Sequence, residues 1–322
     1  AEEHLDQALL RPGRFDRKIS VTLPSQSDRE DLFKFYLAKV KAEDGLDVGR
    51  LARRAVHKSP ADIANIVKES AIIATRYKKT LIGLKEISEA FERVDLGIKH
   101  RLTVTPKEKE MTAYHEAGHL IITYLKDPSK TVFKASIIPR KGSLGVVWSP
   151  DREEMHGKTK EQLIAGIMTS VGSYVAEKIK FGTTTTGVGG GDFPVVRSDF
   201  GHAMAVAHQM VWILGMGDSG LIGNYTVLPK NSLSEEYKLK LNNDVNAILV
   251  KCVKEVENTL KNNRPILDRF AKELLEREEL EYDEIIAIFA EYGHKEAEYT
   301  PTLEETVIAP EMIKSEVEEN EK

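Results

Sequence analysis

Thr105-Pro106-Lys107-Glu108-Lys109-Glu110-Met111-Thr112-Ala113-Tyr114-His115-Glu116-Ala117-Gly118-His119 is the stretch whose reading decides the fold. Its first four residues form a capping box with proline at the first helical position, so a helix starts here. Helical spacing carries it to about Leu125, and Asp127-Pro128 ends it. Positions i and i+4 of a helix lie one above the other, so His115 and His119 share a face. Two imidazoles so placed can hold one Zn²⁺. Glu116 then stands beside the water that such a metal acidifies, where it can act as base. Gly118, a poor helix residue, leaves space near the metal. The plainer alternative is a pair of solvent-facing histidines. The capped start and the apolar neighbours Ala113, Tyr114, Leu120 and Ile121 weigh against it.

Catalytic zinc takes three protein ligands and keeps a position for water. The next histidine after His119 is His156, so no third histidine follows closely. The candidates for the third ligand are Glu177, Asp192, Asp199, His202 and His208. Asp199 opens a helix with Ala203, Val206, Ala207 and Met210 on its apolar face. Spacing alone leaves Asp199 between a buried ligand and a residue placed in a first turn for dipole reasons.

Outward from this helix the chain is mainly α. Upstream, residues 19–23 alternate and are β-branched, which predicts a short strand. Four short helices follow, at about residues 31–40, 46–56, 60–74 and 84–94. The third opens with Ser59-Pro60-Ala61-Asp62, a serine cap with proline at the first helical position. Residues 97–105 read as a linker. Downstream, residues 132–138 and 144–148 are β-rich and predict a small hairpin or mixed sheet. Helices are predicted over about 160–180 and 199–214, with a Thr/Gly loop at 183–192 between them and two or three charged amphipathic helices over 234–292.

Composition excludes several classes. In 322 residues, 41% hydrophobic and 30% charged describe a core-forming chain of about two domains. No apolar run is long enough to span a bilayer. The single cysteine, Cys252, excludes an intrachain disulfide and a Cys-rich zinc module. The net charge of −5 resides in residues 304–322, which hold seven Glu and two Lys, and this tail reads as solvated and disordered. No basic block with interleaved aromatics points to nucleic acid. The start at Ala1-Glu2-Glu3, with no initiator methionine and no signal-peptide pattern, reads as a piece of something longer.

Ala113-Tyr114-His115-Glu116-Ala117-Gly118-His119 resembles the FtsH-type AAA+ zinc metalloproteases. Ile137-Ile138-Pro139-Arg140 with Leu144-Gly145-Val146 is similar to the strand region after that family's zinc helix, and these three residues become candidates for holding a substrate strand. Asp199, with Ala203, Ala207, Met210-Val211 and Gly215-Met216, matches the family's helix bearing an aspartate ligand, which favours Asp199 over Asp192. Glu177 after Ala176 matches a carboxylate of the family's Ala-Glu-Glu pattern, which implies a supporting role next to the zinc. Residues 5–17 resemble the second region of homology of AAA ATPases, with Arg11 and Arg14 at its two arginine fingers.

The resemblance implies a domain order: 1–24 the end of an AAA core, 25–98 a helical lid, 99–295 a mostly helical metallopeptidase with a small β-sheet, and 296–322 the tail. It implies Zn²⁺ held by His115, His119 and Asp199, with Glu116 as general base. It also implies polypeptide substrates, a homo-hexamer, and ATP/Mg²⁺ in a longer parent. That parent would be membrane-anchored through an N-terminal part, with this portion on the cytoplasmic side of a bacterial membrane or at an organelle inner or thylakoid membrane.

Departures are also legible. No G-x-x-x-x-G-K-[ST] phosphate loop exists, so this chain by itself is not expected to hydrolyse ATP. Val171-Gly172-Ser173-Tyr174 stands where the family has Gly-Gly-Arg, and Lys178 replaces an acid. Pro60 replaces a common glycine, and the loop 187–199 is long. None removes a proposed ligand or the base. A catalytically weak assembly subunit, and an unrelated zinc hydrolase of non-peptide substrates, are the competing readings.

Overall fold

The computed structural model describes Asp6 and residues 21–97, 103–140, 143–152, 157–189, 198–229 and 232–295. Within them the fold is mostly helical. The first hydrophobic core gathers α1 (Gln26–Leu37), α2 (Val48–Arg54), α3 (Pro60–Arg76) and α4 (Leu84–Leu96) around Phe33, Ile63, Ile66, Ile87 and Phe91. The expected capping of α3 is present, with Ser59 and Asp62 bonding reciprocally. Helix α1 starts earlier than its apolar spacing predicts, because Ser25 and Asp28 form a further capping box.

The second core is built on α5 (Pro106–Lys126), α6 (Lys160–Phe181), α7 (Asp199–Trp212), α8 (Glu235–Asn262), α9 (Arg264–Arg277) and α10 (Tyr282–Glu291). Thr105 and Glu108 cap α5 reciprocally, as the sequence predicts. The predicted hairpin is β1 (Lys134–Ser136) antiparallel to β2 (Val146–Trp148). A third strand, β3 (Glu279–Glu281), pairs antiparallel with β1, so the sheet order is β2-β1-β3 and β2 lies at an edge. Sequence reading assigned residues 279–281 to helix. Glu-Leu-Glu has little β character of its own, and its pairing with β1 overrides that weak local preference.

The strand predicted over 19–23 is corrected in its described part. Residues 21–23 belong to no strand, and Val21 is exposed. An alternating segment needs a partner strand for its backbone groups, and none lies beside it among the described residues. Arg11, Arg14 and Asp192 lie outside the described residues, as do the loop 190–197 and the tail 296–322. Among the described residues, no helix is long and apolar enough to cross a membrane.

The two cores meet along a charged and aromatic seam. Glu92 of α4 is buried, and its partners come from the second core. Lys134 Nζ lies 2.6 Å from Glu92 Oε1, and Arg140 donates to Glu92 Oε2 at 3.0 Å. Lys134 also bridges to Glu281 at 2.8 Å. Beside them the Arg54 guanidinium lies 4.7 Å from the Phe91 ring and 4.4 Å from the Trp148 ring. Burial lowers Arg54 to about 10, against the pull of Glu92.

Candidate metal centre

Helices α5 and α6 run antiparallel in close contact. A Cβ on Gly118 would stand 2.5 Å from the Gly172 carbonyl oxygen, and one on Gly172 would stand 2.8 Å from that of Gly118. Only glycine permits this backbone approach. The approach brings α6 within reach of both histidines. His115 Nδ1 pairs with Glu177 Oε1 at 2.7 Å, and His119 Nδ1 donates to the Thr169 carbonyl at 2.8 Å. A carbonyl only accepts, so His119 carries a proton on Nδ1, which leaves Nε2 as the atom it would offer a metal. The carboxylate of Glu177 places His115 in the same way. Thr185 in turn donates to Glu177 from its backbone N–H and from its hydroxyl.

The two Nε2 atoms converge on one oxygen of α7. Asp199 Oδ2 lies 3.2 Å from His115 Nε2 and 3.3 Å from His119 Nε2. Asp199 is the first residue of α7 but does not cap it. Ser198 takes that place, accepting from the Gly201 N–H at 3.0 Å. The side chain of Asp199 is thereby free to face the histidines, and Ser173 Oγ donates to the same Oδ2 at 2.7 Å.

Ligand atoms from His115, His119 and Asp199 lie within 4.8 Å of one another. With bonds of roughly 2.0–2.1 Å, neighbouring donors of a tetrahedral zinc stand about 3.3 Å apart. The imidazole-to-carboxylate separations fit that edge length, and two imidazoles with one carboxylate suit zinc chemically. The electrostatics fit as well. Burial opposes charge on His115, yet Asp199 and Glu177 hold it up at about 10. Burial alone would raise Asp199, but His119 and His115 hold its carboxyl far below the usual carboxylate range. The pocket therefore favours positive charge at its centre.

Glu116 is 5% exposed, and burial pushes its carboxyl up against the pull of His115 and His119. Gly145, one residue before β2, packs directly on it. Leu144 is exposed, and Val146 pairs with Ser136. The structure thus brings His115, Glu116, His119, Glu177 and Asp199 together, with Gly145 against them. His202 and His208 are not in the cluster: His202 pairs with Ser170 at 2.9 Å, and His208 stacks on Trp212. Sequence reasoning missed the Thr169 carbonyl, Ser173, Thr185 and the role of Gly172. A glycine inside the α6 pattern was the one available signal of a close backbone approach.

Residues 102–288 match Peptidase family M41. The chain is 35% identical over 295 residues to the ATP-dependent zinc metalloprotease FtsH of Borreliella burgdorferi, covering 87% of this chain and 45% of that protein. It is also 35% identical over 297 residues to the FtsH of Acholeplasma laidlawii, covering 88% of this chain and 45% of the relative. Against the chloroplastic ATP-dependent zinc metalloprotease FTSH 8 of Arabidopsis thaliana, identity is 33% over 298 residues, covering 89% of this chain and 43% of the relative. The chain spans less than half the length of these relatives. With its paired histidines, intervening glutamate and converging aspartate, the chain belongs to peptidase family M41, the FtsH-type zinc metalloproteases.

Proposed function

We propose that this chain carries the zinc-dependent endopeptidase activity of an ATP-dependent, membrane-anchored protease acting on polypeptides. The observation that carries the reading is the convergence of His115 Nε2 and His119 Nε2 on Asp199 Oδ2, with Glu116 buried alongside. His115, His119 and Asp199 would hold Zn²⁺. When bound, Zn²⁺ supplies Lewis acidity that polarises the scissile carbonyl and acidifies the attacking water. Glu116 takes the water's proton and delivers it to the leaving amine. Its burial suits a base that must both accept and return a proton near neutral pH. Glu177 and the Thr169 carbonyl hold the two imidazoles in place. The edge strand β2, with Leu144 and Gly145 leading into it, offers backbone groups to an extended substrate.

The first helical core fits a lid of the AAA type over 25–98, ahead of the peptidase part over 99–295. ATP/Mg²⁺ would then belong to a longer parent, with Arg11 and Arg14 serving a neighbouring subunit's nucleotide in a hexamer. The relatives' names, which give ATP dependence and in one case a chloroplast location, support this assignment.

The test measures bound zinc and casein cleavage for the wild type, Glu116→Gln and Asp199→Asn. Zinc retained with cleavage abolished is expected for Glu116→Gln, and loss of both for Asp199→Asn. Normal cleavage by Glu116→Gln would overturn the mechanism. Wild-type protein that binds no zinc would favour an assembly subunit instead.

A further inference from the structure

We propose that Ser173 is a positioning residue that aims the Asp199 carboxylate at the two imidazoles. This inference rests on the reading of Asp199 as a metal ligand and goes beyond it. Ser173 lies inside α6 and is fully buried, with 0% exposure. A serine in a helix interior ordinarily returns its hydroxyl to the carbonyl four residues back. Ser170 does so, donating to the Gly166 carbonyl at 3.1 Å. For Ser173 that carbonyl belongs to Thr169, and His119 Nδ1 already occupies it at 2.8 Å.

The Ser173 hydroxyl turns to Asp199 instead. Its single proton has two acceptors in reach, Asp199 Oδ2 at 2.7 Å and the Ser170 carbonyl at 3.4 Å. The shorter contact to a charged acceptor takes the proton. Asp199 sits at the start of α7, and among the described contacts the only other side chains that reach its Oδ2 are the two histidines. Rotation about its two side-chain torsions would carry Oδ2 away from them. The bond from α6 removes that freedom. One backbone carbonyl, that of Thr169, thus links two settings: it fixes the tautomer of His119 and diverts Ser173 onto the third ligand. Ser173 also falls in the Val171-Gly172-Ser173-Tyr174 stretch, where the chain departs from the family pattern.

The experiment measures the zinc dissociation constant of the full chain by chelator competition for the wild type, Ser173→Ala and Asp199→Asn. It adds the visible absorption spectrum of the Co²⁺-loaded proteins and the thermal unfolding of each metal-free form. Alanine is smaller than serine and a better helix former, so the fold is retained. Ser173→Ala is expected to bind zinc about tenfold more weakly, as for loss of a group that orients a ligand. Its Co²⁺ spectrum should change, and the melting of its metal-free form should not. Wild-type affinity and spectrum in Ser173→Ala, with zinc lost in Asp199→Asn, would overturn the inference and leave the ligand reading standing. A metal-free form destabilised in proportion to the lost affinity would also overturn it, since Ser173 would then be a packing residue only. Wild-type zinc affinity in Asp199→Asn would remove the ligand reading itself.

Discussion

Gly145 lies so close to Glu116 that a Cβ at position 145 would stand 2.6 Å from Glu116 Oε1, 2.7 Å from Glu116 Cγ and 2.8 Å from the Ser136 carbonyl oxygen. A side chain there would press on both the proposed base and the backbone of strand β1. Gly145→Ala is therefore expected to displace Glu116 and lower kcat/KM on a peptide substrate by about 10–100-fold. Zinc content should be unchanged, because the three proposed ligands lie elsewhere. Peptide kinetics with metal analysis of the same sample checks both halves.

Glu177 has a different expected signature. It is buried, accepts from Thr185 and holds His115 by Nδ1. Glu177→Ala removes the group that orients His115, one of the proposed ligands. Zinc affinity should fall about 10–100-fold, with activity recovering at raised zinc. Competition against a chromophoric chelator measures it.

At the seam, Glu92→Ala removes the nearest carboxylate from buried Arg140, which keeps the more distant Glu279 at 3.7 Å, while Lys134 keeps Glu281 at 2.8 Å. Removing one member of a buried ion pair costs about 3–5 kcal/mol, and the retained partners place this case at the low end. Urea unfolding of the two proteins gives the difference.

Stability should depend on pH through Glu86. Burial opposes its charge, but Lys79 at 2.7 Å and the Gly83 N–H at 3.0 Å outweigh burial and hold it below the ordinary carboxylate range. A carboxyl with a lowered folded value binds fewer protons folded than unfolded. Its contribution is therefore full above the unfolded value and is lost as pH falls through the folded one. The stability gap between wild type and Glu86→Gln should be about 1–3 kcal/mol at neutral pH. It should shrink on acidification below the usual carboxylate range. Denaturant midpoints over that pH series test the sign.

What the sequence revealed of fold and site follows the range of each interaction. Thr105 with Glu108 and Ser59 with Asp62 are three residues apart, and their capping boxes were readable. Ser25 with Asp28 has the same spacing, but it lies ahead of the apolar periodicity that begins at about residue 31. His115 and His119 were readable because one helical turn brings them together. For Asp199, spacing could not separate a ligand from a first-turn acid, and the cap of α7 turns out to be Ser198. The Thr169 carbonyl could not be read at all, since a backbone oxygen has no residue identity. Nor could the contact of Gly118 with Gly172, which depends on how two helices pack. Strand β3 escaped for the same reason, because its partner β1 lies far earlier in the chain.

The buried Glu92 also bears on the order in which the molecule comes together. The first core draws its apolar contacts from nearby stretches of chain, so it can condense early. Yet the cations that neutralise Glu92 lie 42 and 48 residues further on, and Lys134's second carboxylate, Glu281, lies 147 residues beyond it. The α4 face of the first core remains charged and wet until β1, and finally β3, are in place. Of the two cores, the one that precedes in the sequence is therefore the one whose last surface closes late.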